Sequence, residues 1–182
     1  PSKRALYLRT IFAELERLAN HFGDIGAIMI DTGFNFGGSQ GARLREMMMG
    51  INERITGSRF LRGVNVIGGV AKDINKEEGA KLSRDLSNIA KDFEEVIKVA
   101  ENSASLLNRL KDTGTISLET ARDRGVTGVP AKSLGIETDA RFDYPYAAYL
   151  EVHPGEIATA EGGDVFARFR VRVKEVRASI KI

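Results

Sequence analysis

Apolar positions set the first element. Leu8, Ile11, Phe12, Leu15, Leu18, Ala19 and Phe22 recur at steps of three and four, which predicts an amphipathic helix. It runs to Ile30 or Asp31, where Thr32-Gly33 ends it. Gly23 and Gly26 each cost this helix about 1 kcal/mol relative to Ala, and they let another helix approach closely. Gly37-Gly38-Ser39 reads as a break with Ser39 as N-cap. A second helix follows from Gln40 to Thr56, apolar at Leu44, Met47, Met48, Ile51 and Ile55, with Gly57 at the C′ position. Arg62 to Val70 is an irregular or short extended connector. Asn75 with Glu78 resembles a capping box. From there Leu82, Leu86, Ile89, Phe93, Val96, Ala100, Leu107 and Leu110 keep the helical period to Lys111. That predicts a rod about 55 Å long, ended by Gly114.

The texture changes at Thr115. Ser117 to Arg124 predicts a short helix closed by Gly125, and Gly128, Pro130 and Gly135 mark loops. Tyr144 to Val152 has room for a short strand. A last helix opens near Asp164, apolar at Phe166, Phe169, Val173, Val176 and Ile180. The expected fold is mainly α: a bundle of long helices over residues 1–114, a loop-rich α+β insertion over 115–163, and one more bundle helix over 164–182. These form one structural domain. The opening Pro1-Ser2-Lys3-Arg4 runs straight into helix, and no stop signal closes the last one. Both ends therefore read as cut from a longer protein.

Composition narrows the chemistry. The 182 residues are 42% hydrophobic and 29% charged, which is globular, and they contain no Cys. That excludes disulfides, thiolate metal ligands and a Cys nucleophile within this chain. No apolar run approaches the roughly 18 residues of a spanning helix, and no signal-peptide pattern opens the chain. Residues 164–182 hold six basic side chains and two acidic ones, so this end carries +4 and the rest −2. With no RNA-binding aromatic signature and no recognition-helix pattern, the basic end reads as a solvated helix face, not a nucleic-acid interface.

Glu14, Arg17, His21, Asp24 and Asp31 follow one another at steps of three, four, three and seven along the first helix. Such a stripe suits a proton relay, whose carriers must lie within a hydrogen bond or one water of each other. His21 is its pH-sensitive member. A solvated face of ion pairs explains the same spacing, and burial separates the two readings. Further structural or cavity candidates are Arg45 and Glu46, of which at most one points inward, the Gly68-Gly69 pair, and Asp139 with Arg141 beside the Tyr144-Pro145-Tyr146 turn. No nucleophile–base motif and no metal-ligating set stands out, so no catalytic residue is assigned.

Several segments resemble, in order, the large catalytic subunit of energy-converting (group 4) nickel–iron hydrogenases, a family that includes formate hydrogenlyase and is related to the 49-kDa subunit of respiratory complex I. They are Glu14 to His21, Gly23-Asp24-Ile25-Gly26, Asp31 with Gly33, Leu44-Arg45-Glu46, Thr56 to Phe60, and Gly68-Gly69-Val70 with Asp73. Gly125 to Gly128, Asp139-Ala140-Arg141 with Tyr144-Pro145-Tyr146 and Tyr149, and Gly163 to Arg168 running into Arg172 to Arg177 complete the set. Gly23 to Ala27, Arg59 to Gly63 and Arg141 to Tyr146 are closer to the hydrogenase branch.

The resemblance implies an oxidoreductase whose nickel–iron centre is held by two Cys pairs outside this chain. The chain itself then binds no metal or cofactor, and alone it is inactive. A quinone-reducing, NADH dehydrogenase-type subunit without nickel and a non-catalytic helical scaffold are the alternatives. The resemblance further implies an iron–sulfur small subunit and membrane subunits as partners, in the cytoplasmic peripheral arm of a membrane-bound complex. It places His21 and Asp31 near the inner end of the complex I quinone cavity, where the counterpart of Asp31 couples redox chemistry to proton movement. Lys132 stands where the family has Arg, Leu134 where it has a small polar residue, and Ile67 where complex I often has Pro. Lys does not reproduce a bidentate Arg. The isolated chain is expected to expose apolar surface and self-associate.

Overall fold

The computed structural model describes residues 1–182. The fold is mainly α. Helix α1 (Lys3–Asp31) is capped by the Ser2 hydroxyl, which accepts from the Ala5 amide. Its apolar stripe, Leu8, Phe12, Leu15, Leu18, Phe22, Ile25 and Met29, is fully buried. Helix α2 (Asn35–Thr56) packs along it and ends at Gly57, whose φ of 78° is the left-handed cap expected there.

Helix α2 starts earlier than the glycines suggest in isolation. Gly37, Gly38 and Gly41 lie inside it and face α1, where a Cβ on Gly41 would sit 2.5 Å from the Gly26 Cα. The helical conformation costs these glycines entropy, but the backbone contact they permit offsets it. Gly26 serves the close approach as expected, whereas Gly23 is covered by the Arg45 side chain.

The connector forms a hairpin, β1 (Asn65–Val66) against β2 (Gly69–Val70), with Ile67-Gly68 at its tip and Gly68 at φ 85°. The Arg9 guanidinium donates to the Val66 and Gly69 carbonyls and fastens the hairpin to α1.

Helix α3 (Lys76–Glu101) opens on half of a capping box. Asn75 accepts from the Glu78 amide at 2.8 Å, but the Glu78 carboxylate accepts from Arg54 instead of turning back. The expected 55 Å rod is two pieces. It breaks at Asn102-Ser103, where Asn102 donates to the Lys98 carbonyl and Ser103 caps α4 (Ala104–Leu110). Local capping by these two polar side chains competes with the helical ladder.

Residues 115–163 hold three short helices, α5 (Leu118–Asp123), α6 (Gly128–Lys132) and α7 (Ala140–Asp143), and no strand. The expected strand at 144–152 is a run of turns with Ala147 at φ 52°. Its backbone pairs with a side chain, the Thr10 hydroxyl accepting from the Ala148 amide, and not with a neighbouring strand. Helix α8 (Val165–Lys181), capped by Asp164, returns to the bundle. One core joins α1, α2, α3, α4 and α8, with Phe22 and Phe93 edge-to-face at 5.4 Å. Each of these buried rings contributes about 1.5–3 kcal/mol. A much smaller apolar cluster, Ala160, Ala167 and Val171 with Val129, lies under the insertion.

Candidate functional site

The insertion meets α1 and α8 mainly through charge. Helix α1 presents Glu14, Arg17 and His21, and all three face the same seam. A helix turning once in 3.6 residues rotates His21 only about 20° from Glu14. Helix α8 supplies Glu175, α6 supplies Lys132, and α7 supplies Arg141 with its N-cap Asp139. Glu14, His21, Lys132, Arg141 and Glu175 are each less than a tenth exposed.

Glu175 is the hub. Its Oε1 accepts from Lys132 Nζ at 2.7 Å and lies 2.9 Å from an Arg17 nitrogen. Its Oε2 lies 2.7 Å from His21 Nε2. On the other side of the ring, His21 Nδ1 is buried without a hydrogen-bond partner. Lys132 Nζ also donates to Asp139 Oδ2 at 2.6 Å. Arg141 grips Asp139 with two parallel bonds of 3.0 and 2.9 Å and donates to Glu14 Oε1 at 3.0 Å. The Tyr149 hydroxyl donates to the same Glu14 oxygen, while Glu14 Oε2 is buried without a hydrogen-bond partner.

Three carboxylates thus face three cations, with His21 set against Glu175. Burial works to raise each carboxyl, and the neighbours outweigh it. The Glu175 carboxyl is lowered to about 2 by contact with His21, the charge of Arg17 and the Lys132 ammonium. Arg141 and Lys132 hold Asp139 well below the usual carboxylate range. Ser179, Tyr149 and Arg141 lower Glu14. Burial and the adjacent Glu14 push the Tyr149 phenol far upward. Such clusters cost desolvation that ion pairing only partly returns. The cluster floors an open cavity of about 680 Å³.

The remaining candidates lie elsewhere. Asp24 is rotated roughly 80° from Glu14 and pairs at 2.9 Å with Arg172 on the surface. Asp31 is exposed at the end of α1, about 15 Å along the axis from His21. The five-residue stripe is therefore a cluster of three plus two outliers, because the step of three from His21 to Asp24 turns the row about 60° away from the seam and Asp31 follows Asp24. Neither Arg45 nor Glu46 points inward. Arg45 lies over Gly23, and Glu46 pairs with Arg59 at 2.6 Å. Gly68 and Gly69 form the hairpin. The basic end is largely engaged within the molecule: Arg168 donates to the Gly163 and Gly114 carbonyls, Lys174 to the Thr159 carbonyl, and Arg177 clasps Glu94. Glu175 is absent from the sequence candidates, yet it is the only acid in α8. An acid facing inward from a basic, apolar helix is the signal that could have found it.

A nickel–iron centre needs thiolates, and this chain, which has no cysteine, supplies none.

The chain also has recognisable relatives. A family model for the respiratory-chain NADH dehydrogenase 49 Kd subunit matches residues 31–182. The chain is 35% identical over 180 residues to an NADH-quinone oxidoreductase subunit of Chloroherpeton thalassium, covering 99% of the chain and 41% of that protein. It is 31% identical over 180 residues to formate hydrogenlyase subunit 5 of Escherichia coli, covering 99% and 32%. NADH-quinone oxidoreductase subunit 4 of Thermus thermophilus is 34% identical over 179 residues, covering 98% and 44%. The chain thus spans less than half the length of each of these three relatives. With the family match reaching from the end of α1 through α8, the chain belongs to the 49-kDa subunit family of respiratory-chain NADH dehydrogenase, and it is similar to a formate hydrogenlyase subunit.

Proposed function

We propose that the chain is part of the large subunit of a membrane-associated, hydrogen-evolving oxidoreductase of formate hydrogenlyase type, and that the α1–α8 cluster moves protons linked to its redox reaction. The buried Glu14–Arg17–His21–Glu175 arrangement carries this reading. Groups of both charges, buried beside an open cavity and including an imidazole held against a carboxylate, suit proton handling more than simple stabilisation. Arg17, Arg141 and Lys132 hold the carboxylates in their charged form, and Glu175 holds the His21 ring in place. The iron–sulfur and membrane subunits implied by the resemblance are the expected partners, with the nickel–iron ligands supplied from outside this chain. A quinone-reducing 49-kDa-type subunit is the second reading, favoured by the family model and by 35% against 31% identity.

Purifying the complex that contains this chain separates the readings. Stoichiometric nickel with hydrogen evolution from a reduced viologen supports the first. NADH-driven quinone reduction without nickel supports the second. A complex with neither activity overturns both and leaves a scaffold. Within an active complex, His21→Asn is expected to lower turnover by roughly 10²-fold, the lower end for a positioned proton carrier.

A further inference from the structure

In two places this molecule sets one cation against an aromatic ring and a carboxylate together. Lys3 Nζ lies 5.9 Å from the centre of the Tyr7 ring and 2.7 Å from Glu151. The Arg141 guanidinium lies 5.9 Å from the centre of the Tyr149 ring and donates to Asp139 at 2.9 Å. Ring face and carboxylate attract the same positive charge, so the two contacts reinforce one another.

The mouth of the cavity above the cluster has the ring and the carboxylate without the cation. On the floor, Glu14, Asp139 and Glu175 are matched by Arg17, Lys132 and Arg141. Glu16 and Asp143 line the same cavity, both exposed, and neither enters those ion pairs. Asp143 accepts from the Asp139 amide at 2.9 Å, which fixes its carboxylate without neutralising it. Three acids against three bases on the floor, plus two acids at the mouth, leave the cavity with a formal charge of −2. Tyr144 and Tyr146 line it as well and are exposed, and the Tyr146 ring stands edge-to-face on Tyr149 at 5.0 Å. Tyrosine is enriched where one protein meets another, and unmatched charge at such a place selects a partner of opposite sign.

We propose that this mouth is a docking site for an arginine side chain of a neighbouring subunit, its guanidinium set against the Tyr144 or Tyr146 ring and bonded to Glu16 or Asp143. A planar guanidinium can lie on a ring while its edge meets a carboxylate, which a compact, strongly hydrated ammonium does less well. An open cavity of about 680 Å³ admits such a side chain from outside and leaves the paired floor intact. The inference requires that the chain work within a complex and does not depend on the proton-handling reading.

The test is made in the intact complex. Thr138 lines the cavity, is exposed and is none of the four proposed contacts. Photo-reactive p-benzoylphenylalanine in place of Thr138 is expected to cross-link to one segment of another subunit, with an arginine beside the linked residue. Glu16→Gln combined with Asp143→Asn keeps size and the Asp143 acceptor while removing both charges. It is expected to lower the cross-link yield several-fold. About 1 M salt, which shortens the screening length to about 3 Å, is expected to act in the same direction. A link to a segment without arginine, to a second copy of this chain, or to nothing overturns the proposal, as does an unchanged yield in the double variant. Should the photo-reactive complex fail to assemble, a structure of the unaltered complex decides. A guanidinium between a mouth tyrosine and Glu16 or Asp143 supports the site, and solvent or any other group there overturns it.

Discussion

Glu175 touches His21, Arg17 and Lys132 at once, and its surroundings lower its carboxyl from an ordinary 4.5 to about 2. A carboxyl depressed on folding stabilises the protein above its unfolded value and loses that contribution as pH falls through the folded one. Glu14 and Asp139 are shifted in the same direction. The denaturation midpoint should therefore hold steady from neutrality to about pH 5 and then drop toward pH 2. Glu175→Gln should flatten part of that drop, and an acid profile identical to the parent's would contradict the assigned pairing. Lys132→Met keeps the side chain's length but leaves Asp139 and Glu175 short of a cation. The expected loss is about 3 kcal/mol in urea unfolding, as for other broken buried pairs. Spacing along one helix is enough to place Glu14, Arg17 and His21 on a common face. It cannot reveal their partners, because Lys132, Asp139, Arg141 and Glu175 arrive from more than a hundred residues away, and pairing at that range leaves no periodic trace.

Elements are legible where capping and period agree. Helices α1, α3 and α8 begin at Ser2, Asn75 and Asp164 because those side chains satisfy the first free amides. Pattern and structure part where a tertiary contact reverses a local preference. Gly37 and Gly38 look like a break in isolation and become helical against α1. In the other direction, the apolar period across Asn102-Ser103 conceals a real interruption. The glycine seam between α1 and α2 gives a paired test. Gly41→Ala forces a methyl toward the Gly26 backbone and should cost about 1–3 kcal/mol. Gly50→Ala lies in the same helix with open space around it and should instead stabilise by about 0.4–1 kcal/mol. Thermal unfolding of the two variants decides, and equal shifts would mean that the seam is not close-packed.

For the whole molecule, large apolar side chains remain on the outside. Ile67 at the hairpin tip is fully exposed, Tyr144 is 81% exposed and Leu150 80%. No helix is long and apolar enough to cross a membrane, so these residues are not part of a spanning helix. The isolated chain should self-associate, with a sedimentation coefficient that rises with concentration. Replacing Ile67 and Leu150 with Lys should suppress the rise, and strictly monomeric behaviour of the parent would count against it.

The small apolar cluster beneath the insertion has a consequence for how the molecule comes apart. The helices are joined by a large hydrocarbon interior, whereas the insertion rests on a few alanines and valines and is held chiefly by salt links. An ionic denaturant weakens such links by screening as well as by solvation, while a neutral one acts by solvation alone. Guanidinium chloride should therefore release the backbone amides of residues 126–152 to hydrogen exchange well before the helices unfold. Urea should loosen both parts closer together. Two reagents that most globular domains answer in the same order would here distinguish a greasy body from a charged clasp.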